Sequence, residues 1–368
     1  MAAQTTSSRP RRRRRRPPTV TIHDVAARAG VSVATVSRVL NRNAPVRQET
    51  LQHVQDVARR LRYVHNTAAR ALSIRRSHTI GVVLPDVHGE FFSEVIRGID
   101  VAARKSGFHI LVSGSHSDAD EMLAVLETMR GRVDGLLVMA PDVAIGTLGE
   151  QIPSELPLVL LNASSDEHDA IGVDNYGGAF AMTRHLIGEG HSRIAFVKGP
   201  EPNADARERL RGYRQAMKQI GVRDRSLECS GDFTEDSGCA AAKTLIAMNP
   251  RPTAIFAAND SMAIGALSEL SDAGLDCPGD VAVAGFDDIR VGRYITPSLT
   301  TVHVDVDELG RRAFELVHQS IEQSIEQSIE HPSENERRRE MVPTSLVIRH
   351  STISSTRIRP RGRKGGAS

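Results

Sequence analysis

The spacing of apolar residues divides the chain into three parts. Residues 19–65 carry apolar side chains at helical intervals in three short segments, and residues 66–76 form an Ala- and Arg-rich connector. From His78 onward, short apolar runs alternate with amphipathic stretches of helical spacing. Both ends, residues 1–18 and 351–368, lack apolar periodicity, which predicts a disordered Arg-rich arm and a disordered basic tail.

The alternation after His78 predicts parallel β-sheets that helices cover on both faces. Seven apolar runs predict strands, at Thr79–Leu84, Phe108–Val112, Leu136–Met139, Leu158–Leu161, Ile194–Val197, Ala254–Ala257 and Val281–Ala284. Helical stretches follow most of these runs, at Phe92–Lys105, Ala119–Met129, Gly178–Ile187 and Asp260–Ala273. About 270 residues of this pattern exceed one doubly wound unit, so we expect two lobes with a cleft between them.

The segment before the connector predicts a helix-turn-helix. Thr21 and Asp24 have the spacing of a capping box, which marks the start of a helix. Gly30 permits a sharp turn after that helix, and Ser32 is placed to cap a second helix that begins at Val33 and ends near Leu40.

The second helix has an inward and an outward face. Its inward residues share a small core with a third helix, Gln48 to Arg62; the core positions are Val36, Val39, Leu40, Leu51, Val54, Val57, Ala58 and Leu61. The outward positions are Val33, Ala34, Thr35, Ser37 and Arg38. Small and hydrogen-bonding residues on such a face are typical of docking in a DNA major groove, while packing in the core is the alternative for Val33.

The net charge of +2 hides a strong asymmetry along the chain. Residues 1–76 carry a net charge of +14, residues 77–350 carry −17 and residues 351–368 carry +5. An acidic body would be repelled by a polyanion, so only the basic head is expected to contact one. The charge distribution therefore favours nucleic-acid binding by the helix-turn-helix segment.

Composition excludes several classes of protein. Hydrophobic residues make up 40% and charged residues 25%, as in ordinary globular proteins, and no apolar stretch is long enough to span a membrane. The N-terminus lacks the apolar core of a signal peptide, and three cysteines without CxxC spacing argue against a disulfide framework or a zinc ribbon. We expect a soluble cytoplasmic protein with no membrane partner.

A repeat interrupts the α/β pattern. The segment QSIEQSIEQSIE, from Gln319 to Glu330, places isoleucines four residues apart on one helical stripe. It is expected to extend a helix that begins near Glu308 and that His331 and Pro332 end. A partner-binding coiled coil is the alternative, although the heptad is absent.

The motifs together resemble one family. TIHDVAARAGVSVATVSRVLN, from Thr21 to Asn41, is similar to the headpiece of the LacI/GalR family of bacterial transcriptional regulators, and RYVHNTAARAL is similar to that family's hinge. VDGLLVMAP, VDNYGGAF, HLIGEGHSRIAFVKGP, RPTAIFAANDSMAIGAL, VAVAGFDD and PSLTTVH follow in family order. The resemblance covers roughly residues 19–350 and omits the arm, the QSIE repeat and the basic tail.

The resemblance implies a domain plan. It consists of a helix-turn-helix headpiece at 19–65, a hinge helix at 66–76 and a two-lobed effector-binding and dimerisation core at 77–350, similar to periplasmic binding proteins. The first lobe would comprise about 77–173 and 303–333, and the second about 174–302 and 334–350. The family plan also implies a homodimer on a palindromic operator.

The resemblance implies roles in DNA binding. Val33 and Ala34 match positions that select the operator, Arg38 matches the residue that contacts guanine, and Leu72 matches a residue wedged between base steps in the minor groove. Thr35 and Ser37 match phosphate contacts. The remaining expected DNA-contacting residues are Thr21, Ser32, Asn41, Asn66 and Ala69.

The resemblance also implies an effector site in the cleft. The expected residues are Phe91, Phe92, Asn162, Asn203, Asp205, Arg209, Phe233, Asn259 and Asp287. Polar residues after successive strands favour this position independently, although a helix cap or turn is the ordinary role of each one alone. Asn203 and Asp205 replace the Arg and Thr of purine-responsive members, and Asn162 replaces a common Asp. These differences favour a sugar or sugar derivative over a purine.

Other functions remain as alternatives. The same architecture with a purine or nucleoside corepressor comes first, and a solute-binding protein or an enzyme follows. The chain has no P-loop, no G-x-S-x-G, no H-E-x-x-H and no clustered metal ligands, so we expect no catalytic residues, no metal and no cofactor besides the effector.

Overall fold

The computed structural model describes residues 20–41, 46–61, 63, 76–141, 156–163, 165, 167–222, 225–327 and 337–353, with the side chains of Asn41 and of residues 325–327 left out. The chain divides into two compact units, one ending at Ser77 and the other beginning at His78. Asn66, Ala69, Leu72, the side chain of Asn41, the arm and the end of the QSIE repeat lie outside the described residues. The predictions for them therefore stay predictions.

The first unit contains three helices: α1 (Ile22–Ala29), α2 (Val33–Asn41) and α3 (Gln48–Arg60). The capping box at the start of α1 is formed, because the Thr21 backbone N–H donates to Asp24 Oδ2 at 2.7 Å and the Asp24 N–H donates to Thr21 Oγ1 at 3.4 Å. Gly30 ends α1 with φ +65°, where only glycine is unstrained. The Thr35 N–H donates to Ser32 Oγ at 3.1 Å, which caps α2 as predicted.

The core of this unit is small and apolar. Its buried residues are Val25, Ala26, Ala29, Val36, Val39, Val54, Val57 and Ala58. Val33 is half-buried and packs against this core, so the predicted alternative of core packing applies to part of its side chain. The third helix ends at Arg60, two residues before the predicted end.

The second unit contains two mainly parallel β-sheets, which confirms the prediction of two lobes. The first sheet consists of β1 (Thr79–Leu84), β2 (His109–Gly114), β3 (Gly135–Met139), β4 (Leu158–Leu161), β5 (Asp169–Val173) and β11 (Arg339–Val342). The second consists of β6 (Ile194–Val197), β7 (Glu228–Cys229), β8 (Ala254–Ala257), β9 (Ala282–Asp287), β10 (Thr300–Val304) and β12 (Thr344–Val347). Their orders, β11-β5-β4-β3-β1-β2 and β12-β10-β9-β8-β6-β7, are equivalent.

Seven helices connect these strands in the described part of the unit. They are α4 (Glu90–Lys105), α5 (Ala119–Met129), α6 (Asn175–Gly188), α7 (Ala204–Gln219), α8 (Glu235–Ile246), α9 (Asp260–Asp272) and α10 (Val306–Gln327). Helix α10 begins close to the predicted start and continues into the QSIE repeat as expected. A Cβ on Gly98 of α4 would lie 2.3 Å from the Asp307 carbonyl oxygen, so this glycine allows α4 and α10 to approach closely.

The chain crosses between the two sheets three times: after β5, after β10 and after β11. Two predicted lobe boundaries were wrong. The segment 334–350 was expected in the second lobe, but Arg339–Val342 pairs in parallel with β5 of the first sheet. Likewise β10 stays in the second sheet through Val304, beyond the expected boundary at 303. Neither strand has a long apolar run: the edge strand β11 begins with two charged residues, Arg339 and Glu340, and threonine and histidine limit the apolar run of β10.

The predicted tail begins too early. Ser351 and Thr352 are buried, and the Ser351 N–H donates to the Ser298 carbonyl at 2.9 Å. The Ser351 carbonyl accepts from the Val283 N–H at 2.9 Å, and its hydroxyl oxygen accepts from the Thr300 N–H at 2.8 Å. These bonds fix the end of the core against the second sheet, although no apolar pattern indicates it. Among the described residues, no helix is both long and apolar enough to cross a bilayer.

Candidate functional site

A cavity of about 510 Å³ lies at the carboxyl ends of strands from both sheets. In open parallel sheets this edge is the usual ligand position, and the volume falls within the range of small-molecule sites. All nine residues predicted for the effector site line it: Phe91, Phe92, Asn162, Asn203, Asp205, Arg209, Phe233, Asn259 and Asp287. The structure therefore brings together residues that are distant in sequence, such as Phe91 and Asp287, which are 196 positions apart.

Arg209 of α7 is the most constrained polar side chain of the cavity. It is 4% exposed, and its Nε donates to Asn175 Oδ1 at 2.7 Å while its Nη1 donates to the Ala258 carbonyl at 2.6 Å. Its Nη2 lies 3.1 Å from Asp287 Oδ1, and its Cζ stacks 3.8 Å above the centre of the Phe286 ring. These four contacts hold the Arg209 guanidinium in one fixed orientation in the cavity wall.

Two asparagines of the cavity are also helix caps. Asn203 Oδ1 accepts from the Ala206 N–H at 2.9 Å at the start of α7, and Asn259 Oδ1 accepts from the Met262 N–H at 2.9 Å at the start of α9. Asn259 Nδ2 further donates to the Phe233 carbonyl at 2.9 Å. Each asparagine is thus a helix cap and a cavity residue at once, because the capping hydrogen bond fixes the side chain that lines the cavity.

Asp287 ends β9 beside a second buried carboxyl group. Burial raises the pKa of Asp287 to about 6, and the charge of Arg209 limits this rise. The neighbouring Asp260 is fully buried, accepts from the Ile289 N–H at 2.9 Å and lies 2.6 Å from Thr301 Oγ1. Burial raises the pKa of Asp260 well above its ordinary value, and the charge of Asp287 adds to the rise. Asp260 is therefore a buried structural carboxyl behind the ligand-facing Asp287.

Four non-glycine residues of the cavity wall have left-handed backbone. The φ angles are +56° at Ser117, +50° at Asn162, +72° at Phe233 and +105° at Asp287. Such conformations are disfavoured for residues with side chains and concentrate at binding sites. The ring of Phe233 lies against Gly199, where a Cβ would be 2.5 Å from Phe233 Cζ. The backbone thus places these four residues in the cavity wall at a conformational cost.

Two buried oxygen atoms of the cavity accept no hydrogen bond from the described residues. They are Asn162 Oδ1 and Asp287 Oδ1; the latter has only the ion-pair contact with Arg209. Asn162 is 4% exposed. A buried acceptor without a donor is costly, so Asn162 Oδ1 indicates a ligand that supplies an O–H or N–H group, and Asp287 Oδ1 can accept a hydrogen bond from the same ligand beside its contact with Arg209.

The sequence did not single out several residues that shape the site. Asn175 positions two predicted residues, because it accepts from Arg209 and its Nδ2 donates to Asp205 Oδ1 at 2.8 Å. Phe286 supplies the ring under Arg209, whereas Phe91, Phe92 and Phe233 were the aromatic residues expected at the site. Further acidic residues line the cavity: Glu90, Asp232 and Glu235, together with Asp86, which follows the first predicted strand. Position after a strand or at a helix start was the available signal for all four.

Two hydrogen bonds cross the cleft between the lobes. Glu90 Oε1, at the start of α4, accepts from the Arg290 N–H at 2.7 Å. On another side, the Pro141 carbonyl after β3 accepts from the Ala204 N–H at 2.9 Å. Both pairs join an atom of the first lobe to an atom of the second, so the described conformation is a closed one.

The first unit offers a different kind of surface. On α2, Ala34 and Arg38 are exposed, Thr35 and Ser37 are half-buried, and Ser32 before the helix is exposed. The Ser32 and Thr35 hydroxyl oxygens are 2.9 Å apart. This face has small residues around one exposed guanidinium, which is a shape and chemistry suited to the edges of base pairs.

The described residues show no other chemical centre. They contain no group of three or more His, Cys, Asp and Glu side chains placed to hold a metal ion. The three cysteines, Cys229, Cys239 and Cys277, are not in disulfides. Burial raises the pKa of each of these thiols, to about 12 for Cys277.

Comparison with known proteins matches both units. Residues 21–66 match the family described as bacterial regulatory proteins, lacI family, and residues 183–352 match the periplasmic binding protein-like domain. The ribose operon repressor of Escherichia coli (strain K12) is 36% identical over 306 residues, which cover 81% of this chain and 92% of that protein.

Two solved structures are similar over most of the chain. The lac repressor dimer bound to operator and the anti-inducer ONPF has a TM-score of 0.81 and 28% identity, and the match covers 92% of this chain and all of that chain. The transcriptional regulator CelR in complex with cellobiose has a TM-score of 0.67 and 31% identity, with 91% of this chain and all of that chain covered.

Proposed function

The chain belongs to the lacI family of bacterial regulatory proteins, and from this premise we propose that it binds operator DNA as a dimer under the control of a small carbohydrate. It is a DNA-binding transcription regulator rather than an enzyme. The single observation that carries the proposal of effector control is the convergence of the nine predicted residues on one cavity.

The DNA contacts are assigned to α2 and to the connector. Arg38 is exposed on α2 and is suited to a bidentate contact with guanine, while Ala34 offers an apolar contact. The proposed contacts at Thr35 and Ser37 are to phosphates. For Asn66, Ala69 and Leu72 the proposal rests on the sequence resemblance, with Leu72 as the wedge in the minor groove.

Exposed apolar residues of the second unit support a dimer. Tyr294 is 79% exposed and its N–H bonds to the Val291 carbonyl, so these two apolar residues form one exposed turn after β9. In the first lobe, Val101 on α4 and Leu111 on the edge strand β2 are also exposed. Large apolar side chains on a surface are commonly covered by a partner, and we propose that a second copy covers these.

The chemistry of the cavity supports a carbohydrate. A sugar has hydroxyl groups that both donate and accept, and it can donate to Asn162 Oδ1 and Asp287 Oδ1 while Phe233 contacts its apolar face. The similar protein CelR has a solved complex with cellobiose. We place the regulator in the bacterial cytoplasm, where the chromosome is accessible to it.

Fluorescence anisotropy on labelled DNA from upstream of its own gene tests the proposal. We expect tight binding to one palindromic site, and a shift of at least about tenfold in Kd when the correct sugar from a panel of pentoses, hexoses and disaccharides is added. The control is scrambled DNA of equal length at the same salt concentration. Equal affinity for both DNAs would refute operator binding, and a response to purines or nucleosides alone would refute the carbohydrate.

A further inference from the structure

The cavity wall is strongly acidic. Six lining carboxyl groups, Asp86, Glu90, Asp205, Asp232, Glu235 and Asp287, face a single lining guanidinium, Arg209, among the described residues. Hydrogen bonds, from the backbone of His88 and from Thr234 respectively, lower the pKa values of Asp86 and Asp232, so both are ionised at neutral pH. Residues 142–155, which follow Pro141 outside the described ranges, contain no Lys, Arg or His.

Helix starts at the cavity do not compensate this negative charge. The positive end of a helix dipole ordinarily favours an anion. Here Glu90, Asp205 and Glu235 lie in the first turns of α4, α7 and α8, so each helix already has its own carboxylate at that end. Asn203 and Thr234 side chains additionally accept from N–H groups of α7 and α8.

The protein already engages most of the Arg209 donors. Its Nε and Nη1 donate to Asn175 and to the Ala258 carbonyl, and its Nη2 faces Asp287 at 3.1 Å, so three of the five N–H groups of the guanidinium have partners. A phosphate or carboxylate is held most strongly by two parallel donors of one guanidinium. A ligand anion at Arg209 would compete with Asp287 for its positive charge, and a buried carboxylate that loses its partner is strongly unfavourable.

The unsatisfied atoms of the cavity also require donors. Asn162 Oδ1 belongs to a side chain that is 4% exposed and has no donor among the described residues, and Asp287 Oδ1 has only its ion-pair contact. A hydroxyl group supplies a donor, whereas an ionised phosphate oxygen or carboxylate oxygen supplies only acceptors. A hydroxyl group that faces these oxygens therefore satisfies them, whereas a phosphate or carboxylate group in the same position would be repelled.

We propose that this cavity selects uncharged carbohydrates and excludes their phosphorylated and carboxylated derivatives. The proposal rests on the proposed function, since it specifies the ligand class of the same effector site. It distinguishes the free sugar from the sugar phosphate, although the two share a ring. Such a regulator responds to a sugar before the first phosphorylation or oxidation of that sugar.

Isothermal titration with matched pairs tests the selection. The probes are ribose with ribose 5-phosphate, glucose with glucose 6-phosphate and glucose with glucuronate, at pH 7.5 and one ionic strength, together with operator anisotropy for each compound. We expect the uncharged member of a binding pair to bind at least about tenfold more tightly. A charged member that binds equally or more tightly, and shifts operator affinity, overturns this inference but leaves effector control standing. If no effector from these pairs or from the wider sugar panel changes operator affinity, the proposed function fails and the inference fails with it.

A charge-neutralising variant tests the cause. In the double variant Asp232→Asn/Glu235→Gln, amide oxygens can still accept from Thr234 and Ser261, while two negative charges are removed. We expect the ratio of Kd values within a pair to fall about tenfold towards unity. The matched control is Asp236→Asn, which removes a charge from an exposed neighbour on α8 that does not line the cavity, and should leave the ratio within about twofold. An unchanged ratio in the double variant contradicts the electrostatic explanation.

Discussion

The two arginines to which we assign a function lie in opposite environments, one exposed and one buried. Arg38 in the three-helix unit is exposed on α2, outside the core of Val25, Val36 and Val54. Arg209 in the two-sheet unit is buried, is bonded to two neighbours and pairs with Asp287. A residue that contacts DNA is exposed before the DNA binds. A residue of a cavity is instead held in one orientation before its ligand binds.

This difference predicts which substitutions change binding without changing stability. In the three-helix unit Ala34 and Arg38 are exposed on α2 outside the core, so their loss should affect DNA binding alone, whereas Thr21 and Ser32 also cap helices. In the two-sheet unit the same atoms that line the cavity also cap helices and satisfy buried groups. Substitutions there should alter stability and effector binding together.

The largest expected effect is that of Arg209→Ala. It leaves Asp287 and Asn175 without a buried partner, so we expect a loss of about 3–5 kcal/mol in unfolding free energy and loss of measurable effector binding. Urea unfolding and titration calorimetry measure the two effects. Arg211→Ala on the same helix, at an exposed ion pair with Glu208, is the control and should change unfolding by less than about 1 kcal/mol. Normal stability of Arg209→Ala would remove the contrast between the units.

Arg38→Ala tests the other side of the comparison. Loss of a bidentate contact with guanine should weaken operator binding by about 1–3 kcal/mol and abolish sequence preference, with unchanged unfolding and effector affinity. Anisotropy on operator and random DNA at one salt concentration measures this. Retained preference for the operator would assign base recognition to another residue.

A pH titration examines Asp287 in the cavity. Its pKa of about 6 is above the ordinary value, so the folded protein holds a proton between about pH 4 and 6 that the unfolded chain has released. This group therefore lowers stability as pH rises through that window. An effector hydroxyl bonds best to the ionised form, so effector affinity should fall up to about tenfold from pH 7.5 to pH 5. Asp287→Asn should flatten the profile; a profile that keeps its slope would assign it to another group.

The smallest effect compares equivalent caps in the two units. Thr21→Ala should lower the local stability of α1 by about 1 kcal/mol, seen as roughly fivefold faster amide exchange in the intact protein, without a change in effector affinity. Asn203→Ala removes the same kind of cap from α7 and should also weaken effector binding severalfold. Equal effects on effector affinity would show that Asn203 is only a cap.

The sequence predicted the parts of the fold where chemistry repeats locally. The capping box at Thr21, the turn at Gly30 and the apolar strands such as Leu158–Leu161 all follow from residues that are close in the chain. The sequence missed five of the strands in the described part of the chain. Glu228–Cys229, Arg339–Val342 and Thr344–Val347 lie at sheet edges, where pairing and not apolar content defines them. Asp169–Val173 and Thr300–Val304 are interior strands, and polar residues shorten their apolar runs. Their positions depend on partners distant in sequence, as the contact of Arg339–Val342 with β5 illustrates.

The sequence predicted individual residues of the site only where they belong to a family motif. The nine expected side chains share one cavity, but the sequence offered no sign that Asn175 holds Arg209 or that Asn162 keeps an unsatisfied oxygen. Such facts depend on three-dimensional neighbours. The excess of carboxylates around the cavity likewise appears only when three helix starts and three strand ends are brought together.

The two hydrogen bonds across the cleft contribute to the free energy that is needed to separate the lobes. One joins the Glu90 carboxylate to a backbone N–H, the other joins two backbone groups, and water can replace both partners when the lobes separate. Each bond is worth only about 1 kcal/mol net, so the empty core should sample separated lobes readily. A ligand that contacts both lobes would then need only a small difference in affinity between the two states to shift the core towards the closed one.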